Sequence, residues 1–478
     1  MKNAKLVTFL LLAGIASGTI SCGEASAPAA DTTSAADTTT AAPESTSYLD
    51  TLPVEDLSGY TFRVIGQSTF ERQNFYTEEK DGDVINDAIH KRDQMVEDRL
   101  GVELAFTALA DRNQVASMVQ TTVLADDPAY EMAITAMSAG INTMVNAGVC
   151  LDLNEMPYLS IDGGLWDASI HEDMSFLGKQ YFSTGVISAQ FSQSPVCCVF
   201  NQRLAEEHQL GDIYDIVLDG KWTVEFMDKC MKDAARDVNG DNEMTIDDFY
   251  GFALDAVFGN VLFAASGYNP ISVENDTYYV NLADGRMVEI IETCAKVFGD
   301  PKVTWHNTKS DGSSLLVFRE GRSIFSTCDM VSAQGFREMK DDFGIIPTPK
   351  YDESQENYIT SCTTWLPTGV AVPLNCRDLE KAGLVMETMA AIADEVIVPA
   401  VYEVTLQGKV SRDDKSSQML DIIFERPSYD FITAFDFGGS GTSLRKAILG
   451  WEENWVSTWE GMKASVEAQI NDVMEIAK

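Results

Sequence analysis

Histidine is scarce: the 478 residues hold four, His90, His171, His208 and His306, and no two stand at the spacing of a metal-binding pair. A G-x-S-x-G elbow is missing, and so is the glycine-lysine pair of a phosphate-binding loop, so the familiar signatures of serine hydrolases and nucleotide enzymes are not there. Basic residues are few, 34 Lys and Arg against 74 Asp and Glu. The resulting formal charge of −40 argues against nucleic acid or anionic lipid as partner, because either would be repelled at long range. Past the N-terminus no stretch reaches about eighteen uncharged apolar residues, so no later segment reads as a membrane span. Carboxylates are abundant, but nothing singles out a glycosidase-like pair, which is defined by separation in space. An enzyme is not expected.

A disulfide framework is also missing. The nine cysteines are scattered singly, apart from adjacent Cys197 and Cys198, and several sit in apolar runs such as "SPVCCVF" and "NAGVCLDL". A chain of this length does not need such a framework, and buried free thiols pack as small hydrophobes, with pairing left open.

What is there begins with "MKNAKLVTFLLLAGIASGTISCGE", where Lys2 and Lys5 precede an apolar run of about a dozen residues. Residues 1–21 read as a secretory signal, too short to span a bilayer. The small residue before Cys22 resembles a bacterial lipobox, in which the cysteine is diacylated and becomes the new N-terminus; Ile20 and Ser21 suit it and Thr19 does not. The plainer reading is an ordinary signal with an incidental cysteine. Residues 22–50 carry almost no large apolar side chain before Tyr48 and cannot offset the entropy of ordering, so a flexible tether is expected. It would reach on the order of 25–30 Å. Lipid plus tether implies a protein held at the extracellular face of the cell membrane and otherwise soluble.

The remaining ~430 residues exceed what one core supports, which makes two domains the default. "YTFRVIGQS" reads as a strand and "DVINDAIHKRDQMVEDRLG" as a helix with Ile85, Ile89, Val96 and Leu100 on one side. "VELAFTALA", "NQVASMVQTTVLADD" and "YEMAITAMSAG" continue as strand, helix and strand. This βαβαβ pattern predicts an α/β fold with helices on both faces of a parallel or mixed sheet. Ligands bind beyond the carboxyl ends of such strands, which puts Gln67, Ser68, Ser138 and Ala139 at the rim of any site, each with a plain turn residue as the alternative. Further on, "GKQYFSTGVIS" and "SPVCCVF" read as β-rich, and "SLLVFREGRSIFSTCDM" as a helix end leading into a strand. "DFGIIPTPK" is a strand broken by Pro347 and Pro349, suited to a chain crossing between bodies.

"DVNGDNEMTIDDFYG" has the order of a calcium loop. Counting from Asp237, the oxygen positions are Asp237, Asn239, Asp241, Glu243 through its carbonyl, Thr245 and Asp248. Position 6 needs a left-handed backbone and is Asn242, the residue that tolerates it best after glycine. The missing glycine and the Asp at position 12 depart from the usual pattern. The alternative is a solvated acidic turn, and a single loop is more often structural than regulatory.

In their order, "INDAIHKRDQMVEDRLGVEL", "LDLNEMPYLS", "GLWD", "GKQYFSTGVIS", "VFNQRLAEEHQL", "GKWTVEFMD", "DVNGDNEMTIDDFYGF", "FREGRSIFS", "DFGIIPTPKYDESQENY" and "MLDIIFERPSYDF" resemble landmarks of the extracellular solute-binding proteins of carbohydrate ABC importers, the family 1, Gram-positive lipoprotein type. The resemblance implies a two-lobe periplasmic-binding-protein-like (type II) fold, here 57–187 plus 345–408 as one lobe and 188–344 plus 409–478 as the other. Solute would sit in the interlobe cleft, lobes would close about a hinge, and permease subunits would be the partner. A sugar cleft needs flat apolar faces and planar polar groups. Candidates are Trp166 in "GGLWDAS", which resembles a family Trp-Asp element, Trp365 in "TSCTTWLPTG", Tyr268, and Asp329, whose alternative is a helix N-cap. Phe70 and Trp305 also lie near loop ends, whereas Trp222, Trp451, Trp455 and Trp459 read as packing residues. The expected protein captures a sugar, in particular an oligosaccharide, as a monomer. Alternatives are a binder of another small polar solute, such as a peptide or amino acid, and a calcium-dependent surface interaction protein of dockerin type, for which no second loop is present.

Overall fold

A computed structural model describes residues 47–68, 74–191, 194–274, 277–309, 311–336, 338–365, 368–406 and 414–478. The signal, Cys22, most of the tether and Phe70 lie outside the described residues. The chain divides at Pro53. Before it, Tyr48–Thr51 form a single 3-10 turn capped by the Ser47 hydroxyl.

Two sheets organise Val54–Lys478, with strands numbered β1 to β13 in chain order. In the first, β1 (Thr61–Gln67) lies parallel to β2 (Glu103–Leu109) and β3 (Met132–Ala136), and β12 (Thr368–Ala371) pairs antiparallel with β3. The order is β12-β3-β1-β2, the expected βαβαβ unit with one returning strand. Helix Val84–Leu100 begins where Asp83 accepts the amides of Ile85 and Asn86 and ends at Gly101, whose φ of 66° suits only glycine well. It buries Ala88 and Ile89 against Ala393 and Ile397 of the long helix Leu379–Leu406. Elsewhere on the long helix Gly383 admits the chain at Pro157, whose carbonyl oxygen would lie 1.9 Å from an added Cβ.

The second sheet is ordered β10-β4-β9-β5-β8. Here β4 (Val196–Asn201) runs antiparallel to β9 (Ser323–Asp329) and to β10 (Phe343–Ile346), while β5 (Tyr250–Asp255) runs parallel to β9 and β8 (Thr304–Asn307). All six residues of β4 are buried, as the unbroken apolar run "VCCVF" requires of an inner strand. A hairpin of β6 (Ile271–Glu274) and β7 (Thr277–Val280), and a short parallel pair of β11 (Thr360–Ser361) and β13 (Pro427–Ser428), complete the strands of the described residues.

Three expectations need correction. "DFGIIPTPK" does not cross between bodies: β10 is an edge strand of the second sheet, and the prolines lie just beyond it, where no ladder amide is needed. The chain stays beside that sheet through Lys350, which exchanges backbone bonds with Trp222 and Val224, and returns to the first sheet only over 361–368. Residues 343–350 thus lie beside the second sheet, and the chain rejoins the first at β12. "GKQYFSTGVIS" forms isolated bridges at Lys179, Ser183 and Gly185 and no continuous strand; Ser183 lies against Val370 of β12, at the first sheet. Trp451 is 43% exposed and meets His306 edge-on, whereas Trp222, Trp455 and Trp459 are buried as expected.

The two crossing segments pair with one another. Pro195 bridges Cys362 and the Thr363 amide donates to the Ser194 carbonyl at 3.2 Å; further back, Ser183 exchanges backbone bonds with Val370 of β12 at the edge of the first sheet. An aromatic cluster of Phe176, Tyr278, Phe431 and Phe435 fills the space beside them, with Phe176 and Phe435 edge-to-face at 5.1 Å.

Candidate functional site

The carboxyl ends of β3 and β5 meet where the chain returns between the sheets. β5 ends at Asp255, whose carboxylate accepts the Val257 amide at 3.2 Å and the Asn307 side-chain amide, at the end of β8, at 2.8 Å. Burial raises the Asp255 carboxyl above its ordinary range. The turn it caps presents Phe258 and starts helix Gly259–Ala264. Two residues beyond β3, the Ser138 amide donates to the Thr364 carbonyl at 3.0 Å, which fixes the returning segment against the first sheet.

Phe258, Asn260, Thr363, Thr364, Trp365 and Asp430 surround a cavity of about 20 Å³, room for one or two waters. The rings of Trp365 and Phe258 stand 6.4 Å apart at 41° and form an apolar wall. Asn260 Nδ2 donates to Thr433 Oγ1 at 2.8 Å and to the Gly441 carbonyl at 3.1 Å. Its Oδ1 is buried without a partner, as are the hydroxyls of Thr363 and Thr364. Each unpaired buried polar atom costs about 1–3 kcal/mol. All three belong to residues that line this cavity, and an occupant able to hydrogen-bond would satisfy those within its reach. Asp430 accepts the amides of Ile432 and Thr433, both at 3.2 Å, and the Thr433 hydroxyl; desolvation holds its carboxyl above the usual range.

The residues singled out from sequence separate into groups. Trp365 and Ser138 belong to this site. Gln67 and Ser68 end β1, the strand next to β3; Ser68 donates to Leu109, and Gln67 reaches the Ala110 carbonyl at 3.4 Å while its Oε1 is buried unpaired. Ala139 folds back onto Ala136. Trp166 does not line the cavity: it is 2% exposed, and its indole N–H donates to Glu387 at 2.8 Å. The Tyr268 hydroxyl donates to Asp284, the cap of helix Gly285–Phe298, so it is engaged in packing. Asp329 is 3% exposed and accepts the Ser332 amide at 2.7 Å, acting as the N-cap that was its alternative; burial raises its carboxyl. Trp305 is half-buried against Tyr250 and donates to Ser313 at 3.2 Å. Asn260 and Asp430 were not singled out, although Asp430 stands in the landmark "MLDIIFERPSYDF" and Asn260 follows the end of β5.

No protein-family model matches the chain, and no curated protein matches its sequence. Solved structures match over most of its length. A cyclo/maltodextrin-binding protein complexed with maltotetraose is 12% identical, with 87% of this chain and 96% of that one covered at a TM-score of 0.55. An ABC substrate-binding protein from Listeria monocytogenes in complex with cycloalternan is 13% identical, with 87% and 99% covered at 0.52. The galacto-N-biose/lacto-N-biose I-binding protein of Bifidobacterium longum in complex with lacto-N-biose is 13% identical, with 88% and 96% covered at 0.52. The shared fold is that of two-lobe ABC substrate-binding proteins. The cavity lies where the chain runs from the second sheet back to β12 of the first.

The loop 237–248 stands apart from that cavity, beside β5 and β9. Asn242 adopts φ 69°, as the sixth position of a calcium loop requires. Asp237 accepts the amides of Gly240 and Asn242, both at 2.7 Å, and Asp241 that of Glu243 at 2.8 Å. Asp248 is 1% exposed and accepts the amides of Val238 at 2.9 Å and Thr245 at 2.7 Å, bonds that hold its carboxyl below the usual range. The backbone thus suits the ion, while the carboxylates are turned toward amides. Among the described residues no group of three or more His, Cys, Asp or Glu is gathered closely enough to hold a metal. No helix of the described residues is long and apolar enough to cross a membrane.

Proposed function

We propose that this chain is a solute-binding protein that captures an oligosaccharide between its two lobes and delivers it unchanged to an ABC importer. The observation that carries the reading is the composition of the cavity: an indole and a phenyl ring beside three buried, unpaired hydrogen-bonding atoms. A pyranose supplies the complement, a flat C–H face for the rings and hydroxyls for the polar atoms. Structures of the same fold carry maltotetraose, cycloalternan and lacto-N-biose. At about 20 Å³ the cavity is far below the roughly 300–1,000 Å³ of ligand pockets, so capture includes opening the lobes about the crossing segments.

A glycan panel read by thermal shift tests this. A cognate sugar at 100 times its dissociation constant stabilises by about 2.7 kcal/mol. A shift with peptides or amino acids and none with any sugar would replace the sugar by another polar solute. Normal sugar capture together with normal interaction with cells by a chain lacking 237–248 would remove the calcium-dependent interaction protein.

We further propose that Cys22 carries a lipid anchor holding a monomer at the outer membrane face, and that the loop 237–248 binds one structural calcium ion. The spacing of Asp237, Asn239, Asp241 and Asp248 and the left-handed Asn242 support the latter. Incorporation of labelled fatty acid into wild type and not C22A tests the anchor.

A further inference from the structure

Cys197 and Cys328 face each other directly across the antiparallel strands β4 and β9, their sulfurs 3.8 Å apart. Both are fully buried, on the face of the second sheet covered by Phe318, Met330 and Phe336. Cys198 belongs to the cluster on the opposite face, as alternation along a strand requires. The eight cysteines of the described residues stand as free thiols. Directly opposed residues of an antiparallel ladder have Cα atoms about 4.5–5.5 Å apart. That lies inside the range of about 4.4–6.8 Å that disulfides span. Closing the sulfurs from 3.8 Å to a bond of about 2.0 Å therefore asks for side-chain rotation, with the backbone already in place.

We propose that Cys197 and Cys328 form a modification site, oxidised to a disulfide that staples β4 to β9 inside the second sheet. The oxidant is a disulfide of the thiol-exchange class, small-molecule or protein. One cysteine thiolate attacks it, releasing one thiolate and leaving a mixed disulfide; the second cysteine then attacks the protein sulfur and releases the other. Two protein S–H bonds are lost and one S–S bond forms, while the oxidant takes up two electrons and two protons as two thiols. Packing of Phe318 and Met330 shuts the sulfurs away, so exchange occurs while the sheet is assembling, and the finished bridge is equally shielded from reductants.

The test is to refold the reduced, denatured chain with oxidised and reduced glutathione, denature it again, alkylate without reductant and map the peptides by mass spectrometry. The peptide containing Cys197 is expected to be joined to that containing Cys328, two hydrogen masses below their sum, with both thiols alkylating only after reduction. C198A retains the link, which assigns it to Cys197; if C198A does not fold, fragmentation of the wild-type linked peptide reads the same assignment. Recovery of Cys197 and Cys328 as separate alkylated peptides without reduction overturns the proposal, as does a link through Cys198.

Discussion

The Tyr429 hydroxyl donates to the carboxylate of Asp167 at 2.8 Å, joining two fully different parts of the chain beside the crossing segments. The Tyr429 amide donates to Asp173 at 2.8 Å, and Ser428 does so through its hydroxyl at 3.2 Å. Helix Ala168–Met174 is thereby tied to β13, which itself pairs with β11 of the returning segment.

Asp173 gives this tie a pH signature. Burial pushes its carboxyl from 3.8 to about 6, against the opposing effect of the bonds from Tyr429 and Ser428. Between those values the folded chain holds a proton that the unfolded chain has released. The group's contribution to stability is therefore present below 3.8 and declines as pH rises to about 6. D173N removes the ionisation and keeps an acceptor, so its stability relative to wild type should increase across that window. Parallel denaturation curves at all pH values would contradict the assignment.

W365A removes the indole wall. Its dissociation constant for the cognate sugar should rise roughly 30-fold, the effect of losing about 2 kcal/mol at a buried aromatic anchor. Calorimetry measures it, with circular dichroism reporting an unchanged fold.

W166F separates packing from recognition. Loss of the indole N–H leaves Glu387 without one of its donors in the interior, which should cost about 1–3 kcal/mol in urea denaturation. Sugar affinity should not move, since Trp166 is buried away from the cavity.

Calcium in excess over chelator should raise the melting temperature of wild type and leave D237N/D241N unchanged. An ion at 100 times its dissociation constant supplies about 2.7 kcal/mol. Equal melting of wild type in calcium and in EDTA would dismiss the ion.

Periodicity made the first sheet legible, because "TFRVIGQ" and "VINDAIHKRDQMVEDRL" carry their pattern locally. The strand Phe343–Ile346 was recognised, but its prolines suggested a crossing when they mark a sheet edge. Trp166 looked available because its partner Glu387 is 221 positions away, a distance no local pattern reports. Asp329 and Asp430 have the same local appearance, each capping a helix, yet only Asp430 borders the cavity. Of the loop-end aromatics that sequence singled out, Trp365 lines the cavity, while Trp166, Tyr268 and Trp305 are engaged elsewhere.

The pairing of Pro195 with Cys362 and of Ser183 with Val370 has a mechanical side. A single strand between two bodies acts as a swivel, free to twist as well as to bend. Two strands bonded edge to edge behave as a leaf spring: bending across their flat face is easy, and torsion shears the bonds between them. Any movement of the two sheets about this strip would favour bending over twisting, and Trp365, which lies between the Cys362 and Val370 bridges, would be carried along that path.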